Sequence, residues 1–429
     1  MKFTKLSLVA AMLIGSSAFA IDNTKVSGNV KLFYGTMDSD SVDATYASTA
    51  KGEEPGLFDS TGSYGDVAVD LELTTDLTKG VSAGVKATYI TTLGLENNIV
   101  DNTWSNAHGV TANSAASFAA GQQLDDSMFV GEAWIAGTAF DTTLKVGRQA
   151  LDTPLAFTES WGVAQNTFEA AVLINQSIPD TTLVGTYVGK SNGSADDVET
   201  ALHLNTISGA QAGYVSVDGK FNTFGSDGVY VAGIINNSIK PLTVQAWYYD
   251  LQQLATAYWL QADLNLDGVL AGAQYAVVDA DTTDDDEAYS IMLGYDMKDV
   301  ATVKVAYSSV DDKGATGYVA NVATTTKQSK LYTEMWWYYG LVSSTGADSM
   351  SLSVEGSVAN IDLFAGFYFT DIETPGVDTE VTEVALTASK SYGPVDTTLA
   401  LLYDDEEDKL APANDVKTTS LQVYLTYNF

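Results

Sequence analysis

The chain closes on LQVYLTYNF, residues 421–429. Leu421, Val423, Leu425, Tyr427 and Phe429 alternate with Gln422, Tyr424, Thr426 and Asn428, so one face is apolar and the other mostly polar. A period of two belongs to an extended strand, whose successive side chains point to opposite faces, and not to a helix. A strand that completes a soluble sandwich alternates in the same way but seldom stops on an aromatic terminus. The pattern is that of a client of the outer-membrane assembly machinery, with Phe429 as the expected contact.

Working back from the end, the same rhythm recurs. Val67, Val69, Leu71 and Leu73 alternate with Ala68, Asp70, Glu72 and Thr74. After the turn Thr78, Lys79, Gly80, the set Val81, Ala83, Val85, Ala87, Tyr89 alternates with Ser82, Gly84, Lys86, Thr88, and so short a link makes a hairpin. Strands are expected near 26–34, 66–77, 81–93, 127–138, 142–149, 168–176, 181–189, 229–238, 242–250, 255–266, 269–279, 287–297, 300–310, 350–358, 361–370, 380–390, 395–404 and 418–429. That is about eighteen, with sixteen also allowed, each close to the length a tilted membrane strand needs. The stretches 190–228 and 311–349 could hide a further pair.

The links between these strands alternate in length. Short ones fall at 78–80, 139–141, 177–180, 239–241, 267–268, 298–299, 359–360 and 391–394, and longer ones lie between them, with only 251–254 out of step. Short turns at one rim and long loops at the other mark outer-membrane barrels, and an even count lets the first strand pair with the last and leaves no edge open.

The start of the chain supports export. Lys2 and Lys5 precede the apolar run Leu6 to Ile14 and then Ala18, Phe19 and Ala20, so residues 1–20 read as a signal peptide and the mature chain is expected to begin at Ile21. Beyond it no apolar run approaches a membrane helix, and mean hydropathy is +0.02. Only helices and closed barrels satisfy every backbone hydrogen bond inside lipid. The expected fold is therefore all-β: a single transmembrane antiparallel β-barrel over 21–429, with short periplasmic turns and long extracellular loops, set in the lipid and lipopolysaccharide of a bacterial outer membrane.

Composition narrows the chemistry. There are 55 acidic residues against 20 basic ones, a net charge of -35, which becomes -37 when Lys2 and Lys5 leave with the signal. Arg148 is the one arginine, so nucleic acid is not an expected partner. There is no cysteine, hence no disulfide or thiolate metal site. The two histidines, His108 and His203, stand in long loops without a nucleophile motif around them, so no enzyme, cofactor or metal is expected. The acidic clusters at 284–287 and 404–408 lack calcium-loop spacing and read as solvated loop. Trp247, Tyr248, Tyr249, Tyr258, Trp259, Phe367, Tyr368 and Phe369 sit where aromatic girdles belong, although some could pack inside. Trp336, Trp337, Tyr338 and Tyr339 could form a loop core or an additional strand.

From Val146 to Val188 the chain resembles OprD-type porins and the related major porins of epsilonproteobacteria, through Gly147, Arg148, Gln149, then Thr153, Pro154, and Asn166, Thr167, Phe168, Glu169. The resemblance covers about a tenth of the chain. It implies an eighteen-stranded barrel, a homotrimer, and a third extracellular loop folded inward to narrow a pore for small hydrophilic solutes. On the strand count that loop is 150–167. It would carry Asp152 and Glu159 toward the lumen, beside Glu132 and Glu169 on neighbouring strands. These acids could equally serve only to hold the loop.

The arginine-rich lumen of relatives selective for carboxylates is missing here, so that specificity is not carried over. Arg148 shares parity with the outward Leu144 and Val146; a bulge at Gly147 turning it inward is the expectation, and contact with lipopolysaccharide phosphates at the outer rim the alternative. Inward parity places Asp70, Glu72, Glu132, Glu169 and Asp263 against Lys31, Lys86 and Lys145, an acid-leaning lumen that predicts modest cation preference. A filled, non-conducting structural or adhesive barrel is the rival reading.

Overall fold

The computed structural model describes residues 22–40, 56–95, 98–100, 103, 105, 107–108, 126–193, 215–223, 227–252, 254–280, 284–313, 319–323 and 328–429. The expected signal peptide and His203 lie outside them. The first half of the wall runs β1 (Asp22–Ser39), β2 (Ser63–Thr78), β3 (Val81–Thr91), β4 (Ser127–Ala139), β5 (Thr142–Gln149), β6 (Phe168–Asn175), β7 (Thr181–Ser191) and β9 (Val229–Asn236). It continues as β10 (Leu242–Leu251), β11 (Ala255–Leu266), β12 (Val269–Ala280), β13 (Asp286–Met297), β14 (Ala301–Val310), β15 (Ala347–Val358), β16 (Ile361–Thr374), β17 (Val377–Tyr392), β18 (Val395–Asp408) and β19 (Val416–Asn428).

Each wall strand pairs antiparallel with its neighbours, β7 pairs directly with β9, and β1 pairs with β19 from Asn29↔Asn428 to Ser39↔Thr418, which closes the sheet. The wall is thus an eighteen-stranded barrel. The remaining strand, β8 (Asn222–Thr223), is a two-residue addition to the outer end of β7 at Lys190–Ser191.

Tight turns at the short rim follow from backbone chemistry. Phe140–Asp141, Asp267–Gly268 and Ala359–Asn360 all take positive φ at both central residues, the geometry whose twist matches a two-residue hairpin. At the other rim the strands outrun expectation. β16 and β17 continue to Thr374 and from Val377, leaving only Pro375 and Gly376 between them, where 371–379 was expected to be loop. Asp371, Glu373, Asp378 and Glu380 make the outward face acidic there while Ile372 and Val381 are buried on the inner one, so the apolar-out alternation is lost although the ladder continues.

The inside and outside are inverted relative to a soluble protein. Outward positions expose Leu144, Val146, Leu173, Ile291, Leu293, Leu386 and Leu399, while inward positions bury Asp70, Gln274, Glu383 and Gln422. Tyrosines pair across strands on the outer surface, Tyr187 with Tyr230 at 5.1 Å and Tyr248 with Tyr258 at 5.3 Å between ring centroids. Their amphipathic rings suit the boundary between hydrocarbon and headgroups. Of the other expected girdle residues, Phe367 faces out, whereas Trp247, Tyr249, Trp259 and Tyr368 are buried within the barrel. Trp336 to Tyr339 form no strand; they lie in an inward loop.

Candidate functional site

Two loops cross the interior. The 150–167 loop leaves the short hairpin β5–β6 as a tight double strand, with Asp152 bridged to Phe157 and the Thr158 N–H donating to the Leu151 carbonyl at 2.8 Å. Its fold is local in origin. Pro154 turns the chain, and the Thr153 hydroxyl closes on the Ala156 carbonyl at 2.7 Å. The loop reaches one wall where Lys86 Nζ donates to Gln165 Oε1 at 3.0 Å, and another where the Leu155 N–H donates to the Tyr249 hydroxyl at 3.2 Å.

The second crossing lies between β14 and β15, over the described residues 319–323 and 328–343. It is bonded to the first: Val322 N–H donates to the Leu155 carbonyl at 3.0 Å, and the Asn321 amide both accepts from Phe157 N–H at 3.1 Å and donates to Glu159 Oε1 at 2.8 Å. Lys330 forms an ion pair with Asp152. The wall holds it in three places. The Tyr332 hydroxyl donates to Asp263 at 2.5 Å; Gln274 Nε2 donates to the Lys330 carbonyl at 2.9 Å; and Glu383 accepts the consecutive N–H groups of Trp336, Trp337 and Tyr338 at 2.6, 2.8 and 3.0 Å. Trp337 packs on Tyr64 at 5.8 Å and Tyr339 on Trp161 at 4.5 Å, tying both loops into one layer. Within it Glu334, enclosed and accepting from Gly340 N–H and Ser329, has its carboxyl pushed up to about 8 by burial.

The predicted site residues separate into three groups. Asp70, Glu72, Glu132 and Lys145 stand with Lys31 and Lys86 on the inner face of β1–β5. Lys86 is opposite Glu72 on one side and Glu132 on the other, its Nζ 3.5 Å from Asp70 Oδ2, while Asp70 also accepts from Thr88 at 2.6 Å. Lys145 lies 4.2 Å over the Trp134 ring and within electrostatic reach of Glu132 and Glu72. The result is a ladder of alternating charge. Asp152 sits exposed at the loop tip, but Glu159 is 1% exposed, accepting from Asn321 and from Trp161 Nε1 at 3.0 Å; it holds the two loops together and does not line open space.

Arg148 and Glu169 form the third group. The ladders on both sides of β5 run through Gly147 without a shift, so the inward bulge expected there does not exist, although Gly147 takes φ 126°. The bulges lie in the next strands, at Gly131 between the Lys86↔Glu132 and Ala87↔Val130 pairs, and at Gly189 between Glu169↔Lys190 and Ala170↔Val188. Arg148 therefore keeps the parity of Leu144 and Val146. Its guanidinium lies 3.0 Å from Glu169, donates to the Val130 carbonyl at 3.1 Å and covers the Phe221 ring at 4.2 Å, with Lys190 3.4 Å from the same carboxylate. This clamp ties four strands, β4 to β7, beside the outer end of the barrel.

Sequence reasoning missed the second crossing and its holders, Asn321, Lys330, Tyr332, Glu334 and Glu383. His108, set aside, pairs with Asp66 at 2.7 Å, both fully enclosed. Among the described residues no three carboxylate or imidazole groups converge on one point. Below the crossing, toward the short-turn rim, a cavity of about 740 Å³ is lined by Asp296, Thr302, Trp336, Glu355, Phe364 and Ser389, among others.

No known family profile matches the chain, and no curated protein matches it in sequence. Solved structures match it in fold. OccK9 (OpdG) of Pseudomonas aeruginosa superposes with TM-score 0.69 at 12% identity, covering 95% of this chain and 99% of its own. OpdQ of the same organism gives 0.66 at 16%, covering 95% and 99%, and OccAB4 of Acinetobacter baumannii 0.65 at 12%, covering 94% and 98%. The likeness spans nearly the full length of this chain and of each neighbour.

Proposed function

We propose that this protein is an outer-membrane porin through which small hydrophilic solutes and ions diffuse passively, with modest preference for cations. The observation that carries the reading is the inner face. Lys31, Asp70, Glu72, Lys86, Glu132 and Lys145 stand side by side on β1–β5, and such a row of ionisable groups belongs beside water rather than in a filled core. The apolar outer face, the tyrosine pairs and the shared fold agree with an outer-membrane setting. Lipopolysaccharide at the outer rim, beside the outward-parity Arg148, is part of the same reading. Assembly through Phe429 and a homotrimeric state extend the same reading, as does kinship with the epsilonproteobacterial porins through residues 146–188.

Swelling of liposomes containing the purified barrel, in small sugars of graded size, tests it. Fast swelling with the smallest sugars and a sharp size cut-off is expected. A second reading has its own support, since the two crossing loops bury Leu155, Val163, Met335, Trp337 and Val342 within the barrel. A filled, non-conducting barrel would leave every sugar outside.

A further inference from the structure

Behind the second crossing, where β17, β18 and β19 meet the backs of Trp336 and Trp337, the inner wall carries polar atoms that find no partner. Glu383 and Asp404 face each other in register, fully enclosed at 0% and 1% exposure. Both oxygens of Glu383 already accept backbone N–H groups, which favours its carboxylate form. Neither oxygen of Asp404 meets an N–H or hydroxyl donor among the described residues, its neighbour being the Glu383 carboxyl; Ser420 Oγ, one pair-step along on β19, finds no partner there either, and Gln422 Nε2 beyond it finds no acceptor. Ser420 and Gln422 are as enclosed as Asp404.

Orphaned polar atoms inside a protein are costly one by one, a carboxylate most of all. Two carboxylates in contact are worse still without a positive charge between them. The basic side chains on these strands cannot supply it. Lys409 is taken up by Glu380 and Glu407, Lys417 by Asp405, and Lys390 lies over Tyr392 at the short-turn end.

We infer that a calcium-like, oxygen-seeking cation sits between these strands, bound by Asp404, Glu383 and the Ser420 hydroxyl, with water completing its shell toward Gln422. Two carboxylates neutralise a divalent charge, and the mixed set of carboxylate and hydroxyl oxygens is that of a hard cation. Because Glu383 also grips the three N–H groups of the crossing loop, the cation braces the loop against the wall. The proposal deepens the pore reading, since it makes the crossing-loop layer depend on an ion, but binding itself does not require that the barrel conduct.

The test uses the folded barrel in detergent, stripped with chelator and titrated with calcium at fixed pH and ionic strength. Heat release and tryptophan emission are followed, with sodium and a pH series as separate arms. One saturable calcium event is expected, weakened at least tenfold by Asp404→Asn and several-fold by Ser420→Ala, and unchanged in the outer-rim variant Asp284→Asn/Asp285→Asn. Ser420→Ala keeps the test meaningful should Asp404→Asn fold poorly. A tryptophan response to pH with none to calcium would mean that a proton lies between the carboxyls, and overturns the proposal. So does a calcium event that both inner variants leave intact, or one equalled by sodium at the same concentration. Calcium binding in a barrel that fails to swell liposomes would sink the pore reading alone.

Discussion

Glu383 shows how much one side chain can decide. Its two oxygens take three successive N–H groups from a loop segment 45 to 47 residues earlier in the chain, fixing the turn at Trp336 to Tyr338. Glu383→Gln keeps the shape but loses charge and part of the acceptor capacity. Bonds to a charged acceptor contribute about 1.5–3 kcal/mol each. Loss of even one should loosen the loop, seen as a red shift of tryptophan emission and as noisier, larger single-channel conductance. Glu334 adds a dependence on pH. Burial lifts its carboxyl from the ordinary 4.5 to about 8, so the released loop gives up a proton before the seated loop does. Seating is then strongest below about 4.5 and weakens as pH rises to about 8. In Glu334→Gln the tryptophan signal should lose that slope; a slope that persists assigns the titration elsewhere. Neither residue could be picked out beforehand. Alternation tells that Glu383, like Asp70, points inward, but which inward acid meets a distant loop depends on the path of 311–346, and no local pattern records that path.

Strands, by contrast, were legible almost one for one, since each must present apolar side chains to the outside at every second position while its neighbours do the same. All eighteen expected spans are wall strands, and the short links fall at one rim. The errors occur where that physical demand lapses. Above Tyr368 and Tyr403 the ladders of β16–β18 run on with acids on the outward face of β16 and β17 and on both faces of β18, and there the period of two no longer sets apolar side chains outside. Bulges are equally silent, since Gly131 and Gly189 resemble any glycine in a strand while Gly147, beside the arginine, drew the expectation. Gly147 matters for another reason. A β-carbon there would lie 2.2 Å from the Ala133 carbonyl oxygen, at a φ that side chains rarely adopt. Gly147→Ala should cost about 1–3 kcal/mol at the top of β5, and lower the temperature at which the barrel loses its compact migration on detergent gels. At the scale of the loop, replacing residues 319–343 with a short glycine linker removes the second crossing and should raise conductance several-fold. Unchanged conductance would show that the 150–167 loop alone sets the passage.

The whole barrel has an uneven distribution of charge that no single element shows. On β1–β5 three lysines, Lys31, Lys86 and Lys145, stand among three acids, Asp70, Glu72 and Glu132, so that wall is close to neutral. The facing side is not. Asp263 meets the loop at Tyr332, Asp296 and Asp362 line the lower cavity, and the lysines on that side, Lys304 and Lys330, are tied to Glu355 and Asp152. Charge that is not locally paired sets the sign of the ions a wide pore admits. Selectivity should therefore reside in Asp263, Asp296 and Asp362 more than in the denser ladder opposite. Across a salt gradient in a planar bilayer, the wild-type reversal potential should favour cations. Asp263→Asn/Asp296→Asn/Asp362→Asn should move it toward zero, while the charge-balanced pair Lys86→Gln/Glu132→Gln should leave it nearly in place. A potential favouring chloride in the wild type would contradict the acid-leaning lumen outright. A large shift from the balanced pair would instead put the filter on β1–β5, where the ladder's order, and not the net charge of the far wall, would select the ion.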